Sequence, residues 1–181
     1  MADVHIVRDG DVLHYDPSVD GYPSTVWSTV SGSPSVNNND VLVINSAEIV
    51  GISGVTLSEL TLDLNIPSDP SGGDTRSWGF QSPQDGNEAR IEFVIDGDTF
   101  KVLGYDEGGN NLFDKKAIWD SAWSGSFNKY KVKVNQGGVY FTVDGNVVAK
   151  FTDVNMPETT LVPHINNDNS DDLKLEVMSI T

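Results

Sequence analysis

The chain has 181 residues, with 38% apolar and 21% charged side chains, a length and composition suited to one globular domain with a sizeable buried core. Eleven Lys and Arg stand against 27 Asp and Glu, a net charge of −16 that repels phosphate backbones and anionic membrane surfaces, so nucleic acid is excluded as the expected partner. Cysteine is absent, which removes disulfides, thiolate metal sites and cysteine nucleophiles, and no run of about 18 apolar residues is present to span a bilayer.

In chain order, residues 1–10 alternate charged and β-branched side chains and lack the basic start and apolar stretch of a secretory signal. Function at an extracellular or virion surface is nevertheless the expected setting. Residues 16–39 are rich in Ser, Pro, Asn and Gly and read as loop with brief edge strands, and the first 50 or so residues as an N-terminal arm or edge-strand extension of a single domain spanning residues 1–181. Residues 41–44 form a short apolar run suited to a strand covered on both faces. Leu60, Leu62, Leu64 and Ile66 then alternate with Thr61, Asp63 and Asn65, the period of a half-buried strand. Ala89, Ile91, Phe93 and Ile95 alternate with Glu88, Arg90, Glu92 and Val94, ending at Asp96-Gly97, a hairpin signal whose residues tolerate positive φ. Phe100 and Val102 point inward on the returning strand, with Lys101 outward. A helical turn is expected between Asn111 and Trp123.

Three further strands, around Lys131–Val134, Val139–Val143 and Val147–Phe151, are separated by Gln136-Gly137-Gly138 and Asp144-Gly145, and read as a meander. Residues 161–165 and 173–177 read as two last strands flanking the polar segment 166–172, the final one returning to the middle of a sheet. Many short strands with Gly, Pro and Asn turns and no amphipathic helix of ordinary length give an all-β fold, a two-sheet antiparallel β-sandwich of jelly-roll type.

The order Trp78-Gly79-Phe80-Gln81-Ser82, Ala89-Arg90-Ile91-Glu92-Phe93, Tyr130-Lys131-Val132-Lys133-Val134, Val139-Tyr140-Phe141-Thr142-Val143-Asp144-Gly145 and Asp172-Leu173-Lys174-Leu175-Glu176-Val177 is similar to the concanavalin A-like lectin and glucanase superfamily. Its "strand, Asp-Gly, strand" element resembles the laminin-G-like and pentraxin-like branches, and the resemblance covers roughly residues 55–181. It implies two curved sheets, a glycan-binding groove on the concave one, and calcium near the rim in many members. Glucanases of one large branch carry catalytic carboxylates in a Glu-x-Asp-x-x-Glu arrangement. Here only Glu88-x-Arg90-x-Glu92 gathers charges on one strand face, which reads more simply as a solvated face laced by an ion pair.

The candidate carbohydrate-binding residues are therefore Arg90, Glu92, Lys101 and Tyr105 as a polar floor, with Trp119 and Trp123 as a stacking wall, because sugar C–H faces stack on indoles. Spacing of four residues also suits two rings that plug the core. Calcium is the one cofactor the composition suggests, with Asp168, Asp171 and Asp172 in the segment 166–172 as ligands and a second Asx-rich segment at Asp9, Asp11, Asp16 and Asp20. His5, His14 and His164 are scattered singly and suggest neither triad nor metal site.

The expected function is non-catalytic glycan binding, with a glycan or glycosylated surface as partner. The alternative is a structural or attachment protein of a virion or surface assembly whose partners are other protein subunits. A polysaccharide-cleaving enzyme stands third, for want of a suitably spaced carboxylate pair along any one strand.

Overall fold

The computed structural model describes residues 13–22, 26–51, 59–83, 88–135, 138–154 and 160–181. Their strands are β1 (Leu13–Tyr15), β2 (Trp27–Ser31), β3 (Ser35–Val36), β4 (Leu42–Ile44), β5 (Ala47–Gly51), β6 (Glu59–Asn65), β7 (Thr75–Gln81), β8 (Arg90–Asp96), β9 (Thr99–Tyr105), β10 (Asn111–Lys116), β11 (Phe127–Asn135), β12 (Gly138–Val143), β13 (Asn146–Phe151), β14 (Val162–Asn167) and β15 (Leu173–Ile180). The α-helix among the described residues is a single turn, Pro17–Asp20, with the Asp16 carboxylate accepting from the Ser18 N–H and Pro at its first position.

The strands form two antiparallel sheets. One runs β13-β12-β11-β6-β15-β4-β3, with β1 beside β4 along the same edge of β15; the other runs β10-β9-β8-β7-β14-β5-β2. The protein is thus an all-β sandwich of jelly-roll type. Alternation decides what lies between the sheets: Leu60, Leu62 and Leu64 of β6 and Ile91, Phe93 and Ile95 of β8 are buried in one continuous core. The last strand, β15, lies inside its sheet between β6 and β4, as the sequence predicts. Among the described residues no helix is long and apolar enough to cross a membrane.

The brief edge strands expected in residues 16–39 are β2 and β3, each at the end of a sheet, and the strand expected at residues 41–44 is β4. Residues 13–51 contribute five strands to the two sheets, with Leu42 and Ile44, and Ala47 and Ile49, each burying one face. Two local readings change. The stretch between Asn111 and Trp123 is mostly strand β10, paired with β9, and its helical part shrinks to a 3-10 turn at Ser121–Trp123 capped by Asp120. The β8–β9 hairpin turns on Gly97-Asp98, not Asp96-Gly97: Asp96 pairs with Thr99, and Gly97 alone has φ of 61°. The first two residues of the expected Gln136-Gly137-Gly138 turn lie outside the described residues, as do His5, Asp9 and Asp11.

The β12–β13 turn has both central residues at positive φ, Asp144 at 50° and Gly145 at 81°, the requirement of a type I′ hairpin that right-twisted strands prefer. Asp144 also accepts from the Lys129 N–H at 2.8 Å, tying the turn to β11. Replacing Gly145 with Val should lower stability by about 1 kcal/mol or more, because a branched side chain resists that φ. Urea unfolding of the variant checks this, and an unchanged midpoint would contradict the turn assignment.

Candidate functional site

Outward positions of a two-layer sandwich are ordinarily wet. On the β11 side that holds, with Lys129 and Lys133 exposed. The outer face of the β8-β7-β14-β5 sheet differs. Glu92, Val94, Leu103, Val162 and His164 all point outward, opposite in parity to the core residues Phe93, Val102 and Ile165, yet each is buried. That face is covered at these positions, and Glu92 and His164 make its centre polar.

Four strands build this centre. Glu92 on β8 pairs in register with Gly79 on β7, Gly79 with His164 on β14, and His164 with Val50 on β5, two positions from Glu48. Glu92 and His164 are two strands apart, about 9.6 Å between backbones. Between them β7 and β8 approach closely at Gly79: a Cβ there would lie 2.7 Å from the Glu92 Cα and 2.4 Å from the Ile91 carbonyl oxygen, and Gly79 also has φ of 154°. Across β7, His164 Nδ1 comes to 3.4 Å from Glu92 Oε2, while its Nε2 lies 3.4 Å from Glu48 Oε1.

A neutral imidazole has one donor and one acceptor nitrogen, so a carboxylate at each nitrogen demands the imidazolium. Burial opposes that charge, but the Glu48 and Glu92 carboxylates at its two nitrogens outweigh it and push the His164 pKa up to about 9. In return, the His164 hydrogen bond holds the Glu48 carboxyl below the usual range, with a further hydrogen bond from Gln81 acting the same way. Glu92 Oε2 and His164 Nδ1 face one another at ion-pair distance without the geometry of a full hydrogen bond, and neither has another hydrogen-bonding partner.

The raised imidazole pKa links stability to pH. With an unfolded value of 6.5 and a folded one of about 9, the extra stability is fully present below about pH 6.5 and is lost as pH rises through about 9. Unfolding free energies from urea at pH 6 and pH 9.5 should differ by on the order of 3 kcal/mol, and His164→Gln should flatten the difference. Equal values for the unaltered protein at both pH values would contradict the charged imidazole.

The candidate residues separate into groups. Arg90, Glu92 and Tyr105 come together: Arg90 Nε lies 3.6 Å from Glu92 Oε1, and the guanidinium sits 4.5 Å from the centre of the Tyr105 ring. The Arg90–Glu92 ion pair predicted from the alternation is present, but Glu92 is buried rather than solvated. Lys101 shares the outer face at the other end of β9 and pairs with Asp96 at 3.1 Å. Trp119 and Trp123 lie elsewhere, against the inward-facing Phe100 and, for Trp123, Tyr130; the Trp119 indole donates to Asp69 and Ser124.

Asp171 Oδ2 lies 4.0 Å from the buried Arg76 guanidinium, Asp172 accepts from Asn45, and the Asp168 N–H donates to the Thr75 carbonyl. Among the described residues no group of three or more His, Asp or Glu side chains comes together to hold a metal ion. Glu48 and His164 are the residues that sequence reasoning missed, since neither belongs to a local motif.

No protein-family model and no curated protein sequence matches the chain. Solved structures do match. A Bacillus licheniformis β-glucanase superposes with a TM-score of 0.72 at 13% identity, covering 96% of this chain and 99% of its own. The chain has the concanavalin A-like fold. Other solved concanavalin A-like structures extend the likeness: a glycoside hydrolase family 16 endo-glucanase from Bacteroides ovatus has a TM-score of 0.71 at 10% identity, covering 94% and 100% of the two chains. The carbohydrate recognition domain of Emp47p has a TM-score of 0.72 at 12% identity, covering 92% and 93%.

These identities establish the concanavalin A-like fold itself. They also correct the expectation of a non-catalytic glycan-binding module or attachment protein, because the matching structures include several glucanases and other glycoside hydrolases beside a recognition domain. A carbohydrate partner is common to both kinds.

Proposed function

We propose that this protein cleaves glycosidic bonds in a polysaccharide lying along the outer face of the β8-β7-β14-β5 sheet, with Glu92 and Glu48 as its working carboxylates. The supporting observation is the Glu48–His164–Glu92 array. Glycoside hydrolysis requires a proton for the leaving oxygen and a second carboxylate at the anomeric centre, either attacking or activating water. The array holds its mobile proton on the ring between two carboxylates. Passing it to Glu92 leaves a neutral imidazole and a carboxylic acid that protonates the leaving oxygen, while Glu48, held ionised by its hydrogen bonds, takes the anionic role. With both oxygens 3.4 Å from nitrogens of one ring, they lie at most about 9 Å apart, a separation at the wide end of that used by inverting carboxyl pairs.

The net charge of −16 repels polyanions, so the substrate class is a neutral glycan, and the glucanases sharing the fold make β-glucan the first to try. Incubation with a mixed-linkage β-glucan, a β-1,3-glucan and alginate, followed by reducing-end release, tests the reading. Release from a neutral glucan is expected. No release from any of the three, or release from alginate alone, would contradict it.

A further inference from the structure

We infer that His164 is a positioning residue for Glu92, clamped from its far side by Glu48. The inference rests on the proposed hydrolase reading and gives that site an internal support.

Geometry carries it. His164 is buried, and its two ring nitrogens are each turned to a carboxylate on a different strand. A ring fixed at one nitrogen only could rotate; one fixed at both cannot do so without breaking an ion pair. Glu48 is the more exposed carboxylate and sits on β5, so it anchors the ring from outside. Glu92 Oε2 and His164 Nδ1, both buried and otherwise unpartnered in hydrogen bonding, then face one another across β7.

Besides Glu48 and Glu92, the one charged group among the outward residues nearest the ring is Arg90, which pairs with the other oxygen of Glu92, 3.6 Å away. On β7 the outward residues nearest it are Gly79 and Gln81, on β14 they are Val162 and Asn166, on β5 Val50 accompanies Glu48, and on β8 Arg90 lies behind Glu92. The ring's charge state is therefore set by Glu48 and Glu92, consistent with its raised pKa. Because Glu92 Oε2 faces a charged ring that also holds the proton it is to receive, the site should fail when the ring has lost that proton to solvent at high pH. Merely structural packing would not show that dependence.

Two measurements test this. The first follows the His164 ring nitrogens by NMR against pH in the unaltered protein, Glu92→Gln and Glu48→Gln. The unaltered ring should remain doubly protonated through neutrality and titrate above pH 8, and each variant should lower the midpoint by at least one unit. Glu48 is partly exposed, so its variant serves if Glu92→Gln does not fold. A midpoint at or below 6.5 in the unaltered protein, or one that neither substitution moves, overturns the inference.

The second compares the pH profile of β-glucan hydrolysis for His164→Gln and the unaltered protein. The variant should lose at least tenfold in kcat with KM within twofold, and should lose the alkaline limb set by the ring. An unchanged kcat and alkaline limb overturns the positioning role. The two readings fail separately: absent hydrolysis with the expected NMR titration removes the hydrolase reading and leaves the Glu48–His164–Glu92 clamp standing, whereas active hydrolysis with an unperturbed ring removes the clamp alone.

Discussion

Replacing Phe93 with Ala is expected to cost about 3–5 kcal/mol of stability, the range for deleting a large buried aromatic whose neighbours relax only partly into the space. Phe93 is fully buried near the centre of β8 and contacts rings from both sheets: Trp78 at 5.8 Å and Phe100 at 5.9 Å, both stacked, with Tyr130 at 5.6 Å and Phe141 at 5.0 Å edge-on. The first pair lies on β7 and β9 of its own sheet, the second on β11 and β12 of the facing one. The ring is thus a joint between the layers. Such favourable edge and offset geometries add to burial, so a cost at the upper end is expected. For a chain of this size, a loss of that scale lowers Tm by roughly 10 °C, and a calorimetric scan reads it directly. A drop of only a degree or two would mean that the two sheets do not depend on this cluster.

The strands around that joint were readable from the chain because their information is local. Ile91, Phe93 and Ile95 bury one face of β8 by simple alternation, and Asp144-Gly145 marks its hairpin by the φ values it allows. Where two solutions shared one local signal, reading was less secure. Asp96-Gly97-Asp98 offers two registers for a two-residue turn, and pairing of Asp96 with Thr99 selects Gly97-Asp98. The four-residue spacing of Trp119 and Trp123 is compatible with a wall or a plug, and in the fold both rings are half-buried and pack edge-on to Phe100.

The site divides in the same manner. Arg90, Glu92 and Tyr105 were legible together because they lie on one hairpin, Arg90 directly opposite Tyr105. Glu48 and His164 were not, since β5, β14 and β8 are distant in the chain and become neighbours only through the sheet order. Requiring a carboxylate pair on one strand misses one assembled across four. The sole local hint was Gly79 within an otherwise bulky strand, which marks a close approach of neighbouring groups.

The second large effect falls on catalysis. Glu92→Gln keeps the shape of the side chain and an oxygen toward His164, but removes the group assigned to deliver the proton. Proton transfer by a positioned side chain is worth about 10²–10⁴-fold, so turnover of a neutral β-glucan should fall by that factor while the variant remains folded. The most direct measurement is therefore kcat for reducing-end release by the unaltered protein and by Glu92→Gln, with circular dichroism and thermal melting of both to establish an intact sandwich. The account predicts measurable release by the unaltered protein and a loss of at least a hundredfold in a folded variant. Equal turnover by the two proteins, or no release by the unaltered one, would contradict it.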